Sequence, residues 1–403
     1  MTLFLSGCSK GPKDTGFTLL DFNDTPMKYS DQINADIYID ATPSMAGFVT
    51  DNNSNYINTL SELESVLNTA FKNGTVNFFS FGNSIQKLSR TEYLNCKTPQ
   101  FYSQGNTFID SVLSKNDTKK VSIIITDLFQ DQRDVNSVVK LIRDSCFAKG
   151  LDVGIAGIRS EYNGTVYDAL TAPYKYTSIK SQTNSFRPFY MLFIGKEENI
   201  SKIVETLASK GRLAEENVLL ISGRYITKSD LNSVTKDKND KNISIKRVEE
   251  ENGTAWVSLN GDAALNCVFD LGFKEFGVYI TPENLRLDVY KKEFKDKTWS
   301  GNELTNDITS EQTSITGNKL NIKLKLLQSK SNNFISYHSV ISINPNSKIE
   351  LPKWVNEFSS ENPNSMNKPQ NTLNLDKFIE GLIRGSWAVS TPKIANIITV
   401  IKP

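Results

Sequence analysis

Short apolar runs and helix-like apolar stripes alternate along the first half of the chain. Five of the runs are predicted strands: Ala35–Asp40, Thr75–Phe81, Val121–Thr126, Val153–Ile158 and Phe189–Ile194. Three stripes with apolar residues at three- and four-residue spacing are predicted helices: Tyr56–Phe71, Val135–Phe147 and Ile200–Ala208. Continuous apolar strands that alternate with amphipathic helices are typical of a parallel sheet covered by helices on both faces.

The second half of the chain has strand-like runs with little helical pattern between them. These predicted strands are Ile243–Val248, Ala255–Leu259, Leu265–Leu271, Phe276–Ile280, Leu285–Tyr290, Lys319–Leu327 and Phe334–Ile343. A late helix is predicted at Leu373–Ile383 and a final strand at Ile394–Ile401. Regular strand spacing favours an antiparallel sandwich. We therefore expect a polar linker in residues 1–33, an α/β domain in 34–217 and a β-rich domain with a late helix in 218–403.

Composition and charge narrow the functional classes. The 403 residues include 46 basic and 45 acidic side chains, a net charge of +1, which gives no electrostatic reason to expect nucleic acid as a partner. The single histidine, His338, lies in a strand-like run and is interpreted as structural. Most hydrolase mechanisms need an imidazole as ligand or base, so the sequence disfavours them. Cys146 and Cys267 lie in apolar patterns and are interpreted as core residues, since no cysteine pair has metal-ligand spacing.

Polar residues follow two of the predicted strands and open one short helix. The first strand ends in Asp40-Ala41-Thr42-Pro43-Ser44, the strand Val121–Thr126 is followed by Asp127, and Gly105-Asn106-Thr107 opens an apolar helical segment. Parallel strands present their carboxyl ends at one edge of a sheet, where ligands bind. Carboxylate and hydroxyl oxygens suit a hard dication such as Mg²⁺. The sequence therefore predicts a metal site at this edge.

This combination of segments resembles the metal-ion-dependent adhesion site of von Willebrand factor A domains, over roughly residues 34–210. It departs from the commonest pattern with Thr42 where Ser is usual, which keeps the hydroxyl, and with Pro43 where Gly is frequent. The resemblance implies a Rossmann-like fold and a Mg²⁺ (or Mn²⁺ or Ca²⁺) ion. The implied ligands are Asp40, Thr42, Ser44, Thr107 and Asp127.

The resemblance also implies a mode of binding. An Asp or Glu carboxylate of a protein or peptide partner would complete the coordination sphere of the metal. Specificity would come from the surrounding loops, for which Ala46–Asn55 and Phe129–Asp134 are candidates. Asp131 and Asp134 in the second loop are interpreted as solvated charges or helix-starting residues.

The segment Leu5-Ser6-Gly7-Cys8 resembles a bacterial lipobox, in which the cysteine carries a lipid and anchors the mature protein to the membrane of the cell envelope. The polar residues Ser9–Asp14 then resemble a tether. Only seven residues, none with a charged side chain, precede Cys8, whereas a signal peptide has a basic region and about 7–15 apolar residues. Either the true start lies upstream of Met1, or the match is chance.

Three functional classes follow from these features. The favoured one is a metal-dependent, adhesion-type surface lipoprotein. The alternative is an intracellular scaffold or assembly factor, located in the cytoplasm, with Cys8 unmodified. An enzyme is disfavoured, with no catalytic residue assigned, because the sequence has no phosphate-binding Gly-rich loop and no base apart from the carboxylates of the metal site.

Overall fold

The computed structural model describes residues 12–22, 33–105, 109–114, 119–128, 135–167, 173–360 and 368–402. It is a mixed α/β protein, as predicted. The described part of the first half contains nine strands: β1 (Asn34–Asp40), β2 (Val76–Phe81), β3 (Gln86–Leu88), β4 (Lys120–Thr126), β5 (Asp152–Ser160), β6 (Asn163–Val166), β7 (Tyr174–Thr177), β8 (Arg187–Gly195) and β9 (Val218–Ile221). Seven of them form the first sheet in the order β3-β2-β1-β4-β8-β5-β9, and β6 and β7 form a separate hairpin.

The prediction of a parallel sheet is right for one part of this sheet and wrong for the rest. β1 runs parallel to β2 and to β4, whereas β8 is antiparallel to both of its neighbours, β4 and β5. β9 is also antiparallel to β5. Every residue of β8 is buried, and a strand covered on both faces has a continuous apolar sequence whichever way it runs. The apolar run predicts burial but leaves the direction open.

Helices cover both faces of the first sheet, as predicted. The helices of the first half are α1 (Asn55–Ala70), α2 (Arg90–Leu94), α3 (Ile109–Leu113), α4 (Val135–Ser145) and α5 (Glu197–Ser209). Alternate residues of β1 point to opposite faces. Ile37 belongs to the hydrophobic cluster that includes α1 and α5, and Tyr38 to the cluster that includes α3 and α4.

In the described residues, ten of the remaining strands form two further sheets and the other two form a short parallel pair. They are β10 (Ile226–Lys236), β11 (Ile243–Glu249), β12 (Thr254–Leu259), β13 (Ala263–Phe273), β14 (Leu285–Lys295), β15 (Thr298–Leu304), β16 (Ile308–Thr316), β17 (Lys319–Leu326), β18 (Phe334–Ile343), the short pair β19 (Ser359–Ser360) and β20 (Thr372–Leu373), and β21 (Lys393–Lys402). One sheet has the order β10-β13-β17-β16 and the other the order β11-β12-β21-β18-β14-β15. Both sheets contribute buried residues to one hydrophobic cluster.

Two predictions for this half are corrected. The run Phe276–Ile280 is no strand: only Gly277 makes an isolated bridge, to Leu220, and Phe276 has a left-handed φ of 58°. Its alternating residues Val278 and Ile280 are nevertheless buried, so the alternation reports burial rather than strand pairing. The six-stranded sheet is not wholly antiparallel, because β12 and β21 run parallel.

Two helices from the end of the chain pack on the first sheet. These are α6 (Lys353–Phe358) and α7 (Leu375–Ser390), of which α7 extends the predicted helix Leu373–Ile383 by two turns. A Cβ built on Gly381 of α7 would lie 3.1 Å from Val139 Cγ2 in α4, so the two helices touch closely. Trp354 and Phe358 of α6 lie against Gly157 in β5. The last part of the chain thus completes the helix layer of the first sheet.

The N-terminal residues 12–22 lie on the six-stranded sheet. The Asn396 side chain in β21 accepts a hydrogen bond from Leu20 N at 3.0 Å, and Phe17 packs on His338 at a ring-centroid distance of 5.4 Å. Within the described ranges, no helix is long and apolar enough to cross a lipid bilayer.

Candidate metal centre

The carboxyl ends of β1 and β4 bring two aspartates to the same edge of the first sheet. The strands are parallel, with Ile39 opposite Ile125, so Asp40 lies beside the end of β4, where Asp127 follows. Asp40 is fully buried and Asp127 is 2% exposed. The two aspartates therefore lie close together, as expected for the carboxyl ends of parallel neighbouring strands.

Hydroxyl groups surround the Asp40 carboxylate. Its Oδ1 accepts hydrogen bonds from Thr42 Oγ1 at 2.7 Å and from Thr42 N at 3.1 Å. Its Oδ2 accepts one from Thr126 Oγ1 at 2.8 Å. Because both oxygens have donors, the carboxylate has one fixed orientation at the end of β1.

The loop after β1 adds the Ser44 hydroxyl to this group, 3.3 Å from Thr42 Oγ1. Pro43 begins a 3-10 helix, Pro43–Val49, in which Met45 N donates to Thr42 O at 3.1 Å. Proline suits a first helical position because its φ is already helical and no N–H is left without a partner there. Pro43 therefore supports the turn that brings Thr42 and Ser44 together.

The electrostatics of this cluster favour either a proton or a cation. Burial, followed by the negative charge of Asp127, raises the pKa of Asp40 to about 7, although hydrogen bonds from Thr42 and Thr126 act in the opposite direction. Two buried carboxylates this close repel one another when both are ionised. A bound dication would offset that repulsion and keep both ionised.

Thr107, the fifth predicted ligand, lies outside the described residues. The chain that leads to it passes beside the loop after β1, since Gln104 N donates to Ala41 O at 3.0 Å. The predicted helix that follows is confirmed as α3, with Ile109 and Val112 buried. Asp131, Asp134 and Cys8 also lie outside the described residues.

Two side chains of the centre have no counterpart in the sequence-based prediction. Thr126, read as the end of an apolar strand, donates to Asp40 and accepts from Leu128 N at 3.1 Å. Tyr162 is 2% exposed, and its hydroxyl lies 3.0 Å from the carbonyl oxygen of Ser44. Thr126 could have been predicted, because it is a polar residue next to Asp127. Tyr162 could not, because it lies 118 residues from Ser44 along the chain.

The first of the two predicted specificity loops, Ala46–Asn55, is partly buried in the hydrophobic core. Phe48 and Val49, in the segment Ala46–Asn55, are buried in the cluster that includes α1. Thr50, Asn52 and Asn53 of the same segment are exposed. The exposed part of this segment is therefore shorter than predicted. The second loop, Phe129–Asp134, lies outside the described residues.

Other residues singled out from the sequence lie away from this edge. His338 lies in β18, as predicted, and bonds to Asn396 Oδ1 at 2.9 Å; burial is the largest of the effects that lower its pKa. Cys146 and Cys267 are buried in the hydrophobic cluster, as predicted. Throughout the described parts of the chain, no group of three or more His, Cys, Asp or Glu is placed to hold a metal. The candidate centre differs from such a group, because it combines two carboxylates with several hydroxyls.

Comparison with known proteins adds no relative: no protein-family model matches the chain, and neither does any curated protein. The resemblance to von Willebrand factor A domains therefore stays a prediction from the sequence motifs.

Proposed function

We propose that this chain is a metal-dependent, adhesion-type protein-binding protein, with a von Willebrand factor A-like first domain and a sandwich-like β-rich domain. The observation that carries the proposal is the meeting of Asp40, Thr42, Ser44 and Asp127 at one buried edge of the first sheet. Sheet edges of this kind, at the carboxyl ends of parallel strands, are where α/β proteins bind ligands.

The donor set fits Mg²⁺ or a similar hard dication. Such ions take oxygen ligands and retain some of their waters. Asp40 and Asp127 would supply negative charge, and Thr42, Ser44 and Thr107 would supply neutral hydroxyl oxygens. The raised pKa of Asp40 supports this assignment, because it indicates that an ionised Asp40 lacks sufficient compensation from the hydrogen bonds it accepts.

A carboxylate from a protein or peptide partner is the ligand that would complete such a site. When bound, the ion would supply an electrophilic position for an Asp or Glu side chain. The exposed residues Thr50, Asn52 and Asn53, just after the 3-10 helix that carries Ser44, would contact the partner beside that position. We propose binding rather than catalysis because the acids at this edge are themselves the metal ligands.

We further propose a location in the bacterial cell envelope, with a lipid on Cys8. The lipobox-like segment Leu5–Cys8 supports this location. An intracellular scaffold that uses the same metal site is the alternative. The mass of the N-terminal peptide distinguishes the two: a diacylglyceryl group on Cys8 supports the envelope location, and an unmodified Cys8 at an intact Met1 contradicts it.

The test of the metal-bridge function is a pull-down with the full chain as bait, as wild type and as Asp127→Ala, each with Mg²⁺ and with a chelator. We expect wild type with Mg²⁺ to retain a partner that the other three conditions lose. Asp144→Ala, which removes an exposed carboxylate 50% accessible on α4, is the matched control and should behave as wild type. A partner retained equally in all four conditions contradicts the proposal.

A further inference from the structure

We infer that Tyr162 and the hairpin β6–β7 form a clamp that holds the metal-binding loop Thr42–Val49 in its binding conformation. This inference rests on the proposed function, since it assigns a positioning residue to the same metal site. Tyr162 immediately precedes β6, and the clamp is defined here as Tyr162 together with residues Asn163–Val166 and Tyr174–Thr177.

The Tyr162 hydroxyl holds the loop to the hairpin. It lies 3.0 Å from the carbonyl oxygen of Ser44 and 2.7 Å from that of Thr165, so its single proton is shared between the metal loop and the hairpin. Tyr162 is itself fixed, because its N donates to Ser178 Oγ at 2.9 Å and its carbonyl oxygen accepts from Ser178 N at 2.8 Å. The hydroxyl therefore has a defined position from which to restrain Ser44.

Close packing reinforces this hydrogen bond. The ring of Tyr162 lies directly over Gly47, where any Cβ would collide with it. A Cβ built on Gly164 would lie 2.8 Å from Gly47 Cα, so the hairpin backbone also touches the loop. Phe48 packs edge-on against Tyr162, with ring centroids 4.8 Å apart. Glycine at positions 47 and 164 thus permits the hairpin to press on the 3-10 helix.

The position of the clamp explains why it bears on the metal site. Ser44 presents its hydroxyl to Thr42 on one side, and its carbonyl oxygen to Tyr162 on the other. Binding is tighter when a site is already ordered before its ligand arrives, because less conformational entropy is lost. Tyr162 acts through Ser44 and would not touch the ion, so its effect is on affinity for the metal.

The test compares full-length wild type, Tyr162→Phe and Tyr93→Phe. Phenylalanine keeps the ring of Tyr162 over Gly47 and removes only the hydroxyl. Tyr93→Phe is the matched control, since the buried Tyr93 hydroxyl in α2 likewise donates to a backbone carbonyl, Leu60 O at 2.6 Å, and Tyr93 belongs neither to the clamp nor to the metal loop. Mn²⁺ affinity is measured by titration calorimetry, and amide hydrogen exchange is measured without metal.

We expect Tyr162→Phe to weaken Mn²⁺ binding about fivefold, the equivalent of one ordinary hydrogen bond. The amides of Met45–Val49 should exchange faster by a similar factor, because local opening becomes easier. Tyr93→Phe should leave both measurements at the wild-type value. Unchanged exchange of these amides in Tyr162→Phe would overturn the clamp. If wild type itself binds no Mn²⁺, the proposed function fails, and the exchange measurement alone still decides whether the clamp exists.

Discussion

The two opposite edges of the first sheet each hold a pair of carboxylates, which is buried at one edge and partly buried at the other. At the carboxyl ends of β1 and β4, Asp40 accepts hydrogen bonds from hydroxyl and backbone donors and is repelled by Asp127. At the opposite edge, where β5 begins, Asp152 Oδ2 accepts a hydrogen bond from Glu197 N at 3.0 Å. There Lys274 forms a buried ion pair with the Glu197 side chain.

The difference lies in what balances the charge. Burial is the largest cause in both cases, and it raises the pKa of Asp40 and of Glu197 to about 7. The second cause has opposite signs: Asp127 raises the pKa of Asp40 further, whereas Lys274 lowers that of Glu197. At the edge of Glu197, an ammonium group opposes the effect of burial. At the edge of Asp40, a second acid adds to it.

Lys274 also connects the two halves of the chain. It follows β13, in the β-rich half, and reaches Glu197 at the start of α5 on the first sheet. The neighbouring segment adds a backbone link, since Leu220 N donates to Phe276 O at 2.7 Å. We interpret this edge as structural. The edge that holds Asp40 and Asp127, called the metal edge below, has instead the proposed binding role.

The largest expected effect on stability comes from removing the ammonium group of Lys274. Lys274→Met leaves Glu197 buried without its ammonium partner, and loss of one member of a buried pair typically costs about 3–5 kcal/mol. We expect a loss of this order in urea unfolding at pH 8, and a smaller loss at pH 5, where Glu197 is protonated.

The control for this change is Lys353→Met. Lys353 pairs with Glu357 at 3.2 Å, but its side chain is 90% exposed, and exposed pairs contribute about 0–1 kcal/mol. If Lys274→Met and Lys353→Met have equal effects at pH 8, the interpretation of the Lys274–Glu197 edge as structural is wrong.

The sequence located the acids of the metal edge but not their supporting residues. Asp40 and Asp127 each follow an apolar run, and parallel neighbouring strands end at the same edge of a sheet, so their meeting could be predicted. Tyr162 and Lys274 could not, because their partners are 118 and 77 residues away along the chain. Contacts of this range depend on how the strands are ordered in the sheet, which local patterns do not encode.

The fold shows the same limit. Apolar runs predicted most of the buried strands but missed β9, which is buried throughout, and β8 could run in either direction with the same sequence pattern. Among the other strands that were not predicted, β10, β15 and β16 lie at sheet edges and present many polar residues to solvent. Hydrophobic periodicity detects a strand through the burial of one face, and these strands have few buried residues.

The pH dependence of stability tests the charge balance around Glu197. The pKa of Glu197 in the folded chain, about 7, lies above its usual value of 4.5, so the folded state binds the proton more tightly than the unfolded state. The resulting stability is full below pH 4.5 and is lost as the pH rises through 7. We expect wild type to lose about 2–3 kcal/mol more than Glu197→Gln over this interval, measured by urea unfolding.

Asp40 contributes to the same slope in metal-free protein, since its pKa is also about 7. It titrates in both proteins of the comparison, so the difference between them isolates Glu197. Parallel stability curves for wild type and Glu197→Gln would show that Lys274 compensates Glu197 fully, and the two edges would then differ more than we propose.

The smallest expected effect is at the metal edge. Thr126→Val keeps the shape of the side chain and removes the hydroxyl that donates to Asp40 and accepts from Leu128 N. Without metal, we expect a loss of about 1–2 kcal/mol, because two buried polar groups lose a partner. Thr69→Val on α1, whose hydroxyl bonds only to Ser65 O at an exposed position, is the control and should be close to neutral. With saturating Mg²⁺ the cost should shrink, since a cation beside Asp40 replaces the lost donor. A cost that is the same with and without Mg²⁺ would place the ion away from Asp40 and remove the contrast between the two edges.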